Sequence, residues 1–223
     1  METIPPFNLA VIIATAVCSY LGFTQPGFAE RWLFDVQEMR RYKQYYRIVS
    51  SAFIHGNWMH LLFNMYALYS FGGAVEQYFG PADFLLIYFC GIIGGNLLSL
   101  ALHFKQEYRA LGASGGVCGI IYACIFLMPG SSVYIFFVPV PIPAYIFAIA
   151  FIAYSYFGLR RQIGNIGHDA HLGGAIIGLI VTTILHPAIV PQNPILYPAV
   201  MGLSAIMFLL LFLPTAFKYG NRR

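Results

Sequence analysis

The chain has 223 residues, of which 59% are hydrophobic and only 9% are charged, whereas charged residues make up about a quarter of soluble domains. This composition excludes an ordinary water-soluble globular domain. The formal net charge of +4 does not indicate nucleic-acid binding, because the basic residues lie at the edges of apolar runs and form no stripe with interleaved aromatic residues.

Three long stretches without Asp, Glu, Lys or Arg indicate a multi-pass membrane protein. They lie between Glu2 and Glu30, between Arg109 and Arg160, and between Asp169 and Lys218. Each is longer than the roughly 20 residues that cross a bilayer core as a helix, and the last two are long enough for two crossings. We expect the first run to be a retained span, because its leader carries Glu2 but no Lys or Arg, unlike a signal peptide.

Proline, glycine and polar breakers divide the apolar sequence into about seven predicted helices. We expect them at about 7–24, 58–79, 82–103, 112–128, from the prolines of 139–143 to 161, 165–185 and 195–213. A polar connection from Ala29 to about Ser51 carries most of the charge. Since no repeat or soluble domain interrupts this pattern, we predict an all-α fold with a single integral membrane domain over residues 1–223.

The first polar cluster within an apolar run is Leu111-Gly112-Ala113-Ser114-Gly115-Gly116-Val117-Cys118-Gly119, at the start of the fourth helix. Its small residues recur four apart, as Gly112 with Gly116 and Gly115 with Gly119, which is typical of closely packed membrane helices. Ser114 is not required for such packing. A lone serine in a membrane helix usually bonds to its own backbone, so this cluster alone is weak evidence for a nucleophile.

The second cluster is Gly167-His168-Asp169-Ala170-His171-Leu172-Gly173-Gly174, at the start of the sixth helix. His171 lies about one turn into an apolar helix and is flanked by glycines, so it could approach a neighbouring helix as a general base. The alternative is a structural histidine that bonds across helices. Asp169 is two positions from His171 and points to a different face. We therefore predict a dyad, with Asp169 interacting with the helix N-terminus.

The third cluster runs from His55 to Asn64, across the start of the second helix. His60 and Asn64 are spaced four apart and share one helix face, which places two hydrogen-bond donors together inside the membrane. Such donors could form an oxyanion hole. A zinc site built from His55, His60, His168 and His171 is a weaker alternative, because no carboxylate or thiolate joins them at ligand spacing. We predict no metal site.

Together the three clusters resemble the signatures of the rhomboid family of intramembrane serine proteases. The family has H-x-x-x-x-H-x-x-x-N in its second helix, G-x-S-G at the start of the fourth and A-H-x-x-G in the sixth. Here these are His55 to Asn64, Gly112 to Gly115, and Ala170 to Gly174. The segment Gly72-Gly73-Ala74-Val75-Glu76 is also similar, and the likeness extends over about Tyr45 to Pro187.

The resemblance implies a six-helix core over about 7–187 with a water-filled cavity, followed here by an extra C-terminal helix at about 195–213. It implies no cofactor. Ser114 would attack the scissile carbonyl and His171 would transfer the proton, while His60, Asn64 and the backbone N–H of Ser114 would hold the oxyanion. Close packing of the fourth and sixth helices would depend on glycines, among them Gly112, Gly115, Gly116 and Gly174. The partners would be membrane proteins whose transmembrane helices contain Gly or Pro and unwind readily in the lipid bilayer.

The sequence departs from the commonest family pattern in three ways. Many members have an aromatic residue one turn after the serine, packing on the catalytic histidine, whereas this chain has Cys118. Arg31-Trp32, after the first helix, is no clear match to the family's Trp-Arg signature. The seventh helix resembles a six-plus-one subtype and carries no information on activity.

Membrane orientation is predicted differently by charge and by resemblance. All twelve Lys and Arg residues lie after the first, third, fifth or seventh helix, and these segments share one side of the membrane. The positive-inside rule places that side in the cytoplasm. Most family members open the corresponding face away from the cytosol. We predict a multi-pass protein of the cell membrane. Two other functions stay open at this point: a catalytically silent rhomboid-like protein that binds transmembrane helices, and a transporter or channel.

Overall fold

The computed structural model describes residues 5–134, 140–161 and 167–212, and within them the chain is a bundle of apolar helices. The helices are α1 (Pro6–Thr24), α2 (Phe28–Trp32), α3 (Val36–Tyr42), α4 (Arg47–Ser50), α5 (Trp58–Ala67), α6 (Gly73–Phe79), α7 (Pro81–His103), α8 (Ser114–Leu127), α9 (Ala144–Arg161), α10 (His168–Leu185), α11 (Ile189–Gln192) and α12 (Leu196–Phe212). Two short antiparallel pairs join β1 (Phe34–Asp35) to β2 (Arg109–Ala110) and β3 (Ser132–Val133) to β4 (Ile142–Pro143). The predicted all-α membrane fold is confirmed.

The predicted long helices all appear, with small changes at their ends. Three described helices, α1, α7 and α10, are long and apolar enough to cross a membrane, and α8 and α12 are shorter apolar helices. A π-helical turn at Leu68–Gly72 joins α5 to α6, so the second predicted helix is continuous from Trp58 to Phe79. It ends where Gly80 takes a φ of +88° and Pro81 begins α7, as glycine at a helix end and proline at a helix start favour.

The fourth helix begins at Ser114, two residues later than the sequence predicts. Gly112 has a φ of +122°, which is not helical and which side-chain-bearing residues rarely adopt. The chain therefore turns sharply just before α8 and presents Ser114 at the helix N-terminus. The predicted start of the sixth helix, at 165, and the predicted end of the seventh, at 213, lie outside the described residues.

The polar connection between the first two long helices is folded into short elements, which the sequence did not predict. Asp35 caps α3, because its Oδ1 accepts hydrogen bonds from the backbone N–H groups of Gln37 (2.9 Å) and Glu38 (3.1 Å). Arg47 is buried, and its Nη1 donates to the carbonyl oxygens of Glu30 (2.9 Å) and Leu33 (2.7 Å). These bonds join the two ends of the connection to each other, and the β1–β2 pair attaches it to the segment before α8.

The centre of the bundle is formed by α7, α8 and α10, which pack closely on one another. Every residue of α8 from Gly115 to Phe126 is buried. Gly116 leaves room for Tyr88 of α7, since an added Cβ would lie 2.8 Å from the Tyr88 ring. Lipid tails are as apolar as leucine, so burial of apolar side chains does not drive helices together in a bilayer. Packing in which two helix backbones approach closely is a main source of their association.

Glu76 joins the second long helix to the first. Its carboxylate accepts hydrogen bonds from the backbone N–H groups of Phe7 (3.1 Å) and Asn8 (2.6 Å) in the first turn of α1. Those N–H groups have no partner within the helix, and a negative charge beside them is favourable. The glutamate of the Gly72–Glu76 segment therefore has a structural contact that fixes the start of α1.

Candidate active site

A cavity of about 1170 Å³ contains the four side chains that the sequence singled out. Ser114, His171, His60 and Asn64 all line it. Its wall also includes polar residues of the connection before α8, namely Gln106, Glu107, Tyr108 and Arg109. Ionisable and polar groups within a helical membrane bundle are stable where they face such a cavity rather than lipid. The structure therefore brings the three clusters to one place.

Ser114 occupies the first position of α8, directly after the turn at Gly112. A Cβ at Gly112 would lie 2.7 Å from Cε1 of His60, so the absence of a side chain there lets the imidazole lie against the turn. The first backbone N–H groups of a helix lack intrahelical partners and carry partial positive charge. The N-terminus of α8 thus offers donors beside the Ser114 hydroxyl.

Backbone contact between α8 and α10 places Ser114 and His171 at the same end of two adjoining helices. A Cβ at Gly174 would lie only 2.1 Å from the carbonyl oxygen of Gly115, and one at Gly115 would lie 3.3 Å from the carbonyl oxygen of Ala170. Gly115 follows Ser114 in the chain, and Ala170 precedes His171. The residues next to the two candidate catalytic side chains are therefore in direct contact.

His171 is the fourth residue of α10, and its ring is held by apolar contact. The Phe151 ring of α9 stacks on it, with ring centroids 5.8 Å apart and an angle of 25° between the planes. His168 makes an edge contact from the preceding turn, with centroids 6.2 Å apart. The Nδ1 atom of His171 is buried and has no hydrogen-bond partner among the described residues. The ring orientation is thus set by packing.

His60 and Asn64 lie on the cavity side of α5, and their backbone is well anchored. Asn57 caps this helix, with its Oδ1 accepting from the backbone N–H of His60 at 2.8 Å. The Nδ2 of Asn64 donates to the carbonyl oxygen of His60 at 3.0 Å. Because a side-chain amide has two N–H donors, one of them stays available to a group in the cavity.

His55 supports the turn that leads into α8. Its Nε2 accepts a long hydrogen bond of 3.4 Å from the backbone N–H of Ala113, and its Nδ1 lies 2.9 Å from Oγ of Ser19. This arrangement requires the proton on Nδ1, donating to Ser19, whose hydroxyl donates in turn to the carbonyl oxygen of Phe53. His55 is buried, so its two nitrogens serve structural contacts.

Asp169 contacts one side chain at the end of α7 and one in the connection that follows it. Its Oδ1 accepts from the Tyr108 hydroxyl at 3.0 Å, and its Oδ2 lies 3.2 Å from Nε2 of His103. The His103 and Tyr108 rings stack with centroids 3.8 Å apart. The sequence placed Asp169 at the helix N-terminus, where it does lie, but did not identify His103 or Tyr108. In the sequence, a histidine at the end of a long apolar helix is the feature that could have indicated His103 as a partner for a buried carboxylate.

No group of three or more His, Cys, Asp or Glu residues suited to a metal ion occurs in the part of the chain that the structure describes. Cys118, one turn after Ser114, is buried, lines the cavity and is not in a disulfide. The ring that contacts His171 comes from α9 instead. Phe151 was missed because nothing in the sequence separates it from the other phenylalanines, of which the chain has 20 in all.

Comparison with known proteins identifies a family. The family model described as "Rhomboid domain" matches residues 42–188. The chain is 29% identical over 208 residues to "Rhomboid protein 1, mitochondrial" of Saccharomyces cerevisiae, covering 86% of this chain and 60% of that protein. It is 32% identical to "RHOMBOID-like protein 12, mitochondrial" of Arabidopsis thaliana, covering 60% of this chain and 44% of that protein. It is 27% identical to "Rhomboid protease GlpG" of Haemophilus influenzae, covering 76% and 86% respectively.

Proposed function

This chain belongs to the rhomboid family, and on that premise we propose that it is an intramembrane serine endopeptidase that cleaves transmembrane segments of other membrane proteins. The observation that carries the proposal is the single cavity lined by Ser114, His171, His60 and Asn64. The protein is a multi-pass integral membrane protein, and a proteolytic site within its bundle needs water and polar groups at the same depth. The cavity supplies a place for both.

In the proposed reaction Ser114 and His171 act as a dyad. Oγ of Ser114 attacks the carbonyl carbon of the scissile peptide bond while an imidazole nitrogen of His171 takes its proton. When the tetrahedral intermediate collapses, His171 donates that proton to the leaving amine and an acyl-enzyme remains. His171 then takes a proton from a water molecule, whose oxygen attacks the acyl carbonyl, and it returns that proton to Oγ of Ser114 as the acyl–oxygen bond breaks and the carboxylic acid product leaves. The contact between Gly115 and Ala170 supports this assignment, because it joins the neighbours of both side chains.

The oxyanion of the tetrahedral intermediate needs donors that are already in place. We assign this role to His60, to the free amide N–H of Asn64 and to the backbone N–H of Ser114. His60 lies against the Gly112 turn, and Ser114 occupies the first position of α8. Donors held by a folded backbone need little reorganisation as negative charge develops, which is why such groups contribute strongly to catalysis.

The substrates we propose are transmembrane helices that unwind easily. An intact helix hides its peptide bonds, so the scissile segment must become extended before Ser114 can reach the carbonyl. Unwinding leaves backbone groups without partners, at a cost of several kcal/mol each in hydrocarbon. Segments that contain Gly or Pro unwind at lower cost, so we expect substrates to carry them near the cleaved bond.

The test is cleavage of a reporter transmembrane substrate by the purified full chain in liposomes. We expect wild-type protein to cleave and both Ser114→Ala and His171→Ala to lose at least about a thousandfold in rate, as removal of either member of such a pair does. Ser70→Ala is the matched control, because Ser70 is exposed and its hydroxyl donates to its own helix at the Tyr66 carbonyl. Equal cleavage by Ser114→Ala and wild type would refute the mechanism.

A catalytically silent rhomboid-like protein is the alternative, and it predicts binding without chemistry. A fluorophosphonate reacts with an activated serine and needs no substrate helix, so it separates the two functions. We expect it to label wild-type protein and Ser70→Ala but not Ser114→Ala. Capture of a transmembrane peptide by a wild-type protein that does not label would favour the silent alternative.

The membrane in which the protein works stays a prediction. The names of its relatives include mitochondrial proteins of yeast and Arabidopsis and a bacterial protease, and the cell membrane is our expectation from sequence. The cavity wall includes Arg109 of a basic connection, so the site and the positive charges share one face. Reporter fusions after Arg161 and at the N-terminus determine on which side this face lies.

A further inference from the structure

Among the residues that the structure describes, none forms a hydrogen bond with Nδ1 of His171 that would fix the orientation of its ring. The Nδ1 atom is buried. In serine hydrolases that use a third group, a hydrogen bond at this nitrogen holds the imidazole in the productive orientation. The nearest carboxylate in the chain, Asp169, is occupied by His103 and Tyr108. Some other contact must therefore restrict rotation of the His171 ring.

The Phe151 ring provides that contact. A centroid separation of 5.8 Å and an angle of 25° describe an offset stack, which is a favoured arrangement for two flat rings. A flat neighbour restricts rotation of the imidazole about its Cβ–Cγ bond more than a branched aliphatic side chain would. Both rings lie at the wall of the cavity that contains Ser114.

Phe151 is itself held by α8, the helix that carries Ser114. The Tyr122 ring of α8 lies 6.3 Å from the Phe151 ring, centroid to centroid. The Tyr122 hydroxyl also donates a hydrogen bond to the carbonyl oxygen of Ala148, one turn before Phe151 on α9. The position of Phe151 is thus set from the same helix as the nucleophile.

The face of α9 that carries Phe151 is fitted to the start of α10. Tyr154 makes an edge contact with His168, with centroids 5.1 Å apart. Gly158 leaves room for His168, because an added Cβ would lie 2.4 Å from its ring. Phe151, Tyr154 and Gly158 follow the spacing of one helix face. The stack on His171 is therefore part of a continuous contact between α9 and the first turn of α10.

We propose that Phe151 is a positioning residue of the Ser114–His171 dyad, which holds the His171 ring in the orientation needed for proton transfer by stacking on it from α9. The inference rests on the proposed protease function and deepens it. It also assigns α9 a part in catalysis, because the contact that orients the histidine comes from this helix.

The test compares Phe151→Leu with Phe151→Tyr in the full chain in liposomes. Loss of the stack lowers kcat and the rate of fluorophosphonate labelling of Ser114 by about threefold to tenfold, the range that corresponds to one aromatic pair. KM stays within about twofold, since the substrate-binding surface keeps an apolar side chain. Phe151→Tyr keeps the ring and retains wild-type rates. Phe151→Met is a second ring-free variant, in case Phe151→Leu does not fold.

Phe157→Leu is the matched control. Phe157 also lies on α9, it is exposed, and its described ring contact is with Tyr156 rather than with Phe151 or His171. The same substitution there leaves labelling within about twofold of wild type. Wild-type labelling by Phe151→Leu and Phe151→Met would overturn the inference, and so would a change confined to KM, which would assign Phe151 to substrate entry.

Failure of the proposed function has a different signature. A wild-type protein that is folded but neither cleaves nor labels would overturn both the protease proposal and the role of Phe151. A wild-type protein that labels, together with ring-free variants that label equally fast, overturns the role of Phe151 alone. The wild-type arm of the experiment therefore separates the two results.

Discussion

Gly174→Ala tests whether the dyad depends on backbone contact between α8 and α10. The added Cβ would lie 2.1 Å from the carbonyl oxygen of Gly115 and 2.7 Å from its Cα, both backbone atoms. No side-chain movement can relieve this overlap, so the two helices must separate by about 1 Å to reach an ordinary contact. Overpacking of this kind costs about 1–3 kcal/mol of stability.

Catalysis should be impaired as well as stability. Gly115 lies beside Ser114, so a separation of the helices moves the proposed nucleophile away from His171. A misplacement of about 1 Å in a reacting pair can lower the rate about a hundredfold. We expect Gly174→Ala to fold, to unfold at a lower temperature than wild type, and to lose about this factor both in cleavage and in fluorophosphonate labelling of Ser114.

Two alanine substitutions on other helices calibrate the result. Gly202 lies on α12 with nothing within 4 Å of an added Cβ, so Gly202→Ala should keep wild-type rates. Gly119→Ala is intermediate, because its Cβ would lie 3.3 Å from the carbonyl oxygen of Gly174. Cleavage should fall in the order Gly202→Ala, Gly119→Ala, Gly174→Ala. Wild-type cleavage by Gly174→Ala would refute the argument that this contact positions the dyad.

Three further substitutions test other parts of the site. Asn64→Ala removes a proposed oxyanion donor and should lower kcat about a hundredfold or more with little change in KM; a rise in KM with kcat unchanged would assign Asn64 to substrate binding. Gly112→Ala should abolish most cleavage, because φ is +122° and the new Cβ would lie 2.7 Å from the His60 ring; wild-type rates would contradict this. Asp169→Asn should weaken the contact with His103 and lower stability by about 1–3 kcal/mol in thermal unfolding while Ser114 still labels. Loss of labelling at unchanged stability would make Asp169 a partner of the dyad.

The helices could be predicted from sequence because their signals are local. Apolar runs of spanning length, ended by residues such as Gly80 and Pro81, are enough to place a continuous helix from Trp58 to Phe79. The start of α8 was placed two residues early, since the sequence does not reveal that Gly112 adopts a positive φ. For residues 29–51 the sequence predicts only a polar connection, because the buried contacts of Arg47 that fold it come from the tertiary structure.

The candidate site was partly predictable for the same reason. The spacing of His60 and Asn64 places them on one helix face whatever the rest of the chain does. The partners of Asp169 could not be predicted, because His103 and Tyr108 lie on another helix and the connection after it. Contacts between helices depend on how each helix is rotated about its own axis. A transmembrane helix that is apolar on all its faces has no pattern in its sequence that would indicate this rotation.

The sequence by itself determined that the chain is a multi-pass helical membrane protein, to which family it belongs, and which helices carry a serine, two histidines and an asparagine. It could do so because hydropathy and helical spacing are properties of neighbouring residues. Only the tertiary structure decided that these side chains line one cavity, that Gly174 rests on Gly115, and that Phe151 stacks on His171 where Cys118 does not. Those contacts join residues far apart in the chain, and they exist only when backbone-close packing has fixed the position and rotation of α8, α9 and α10.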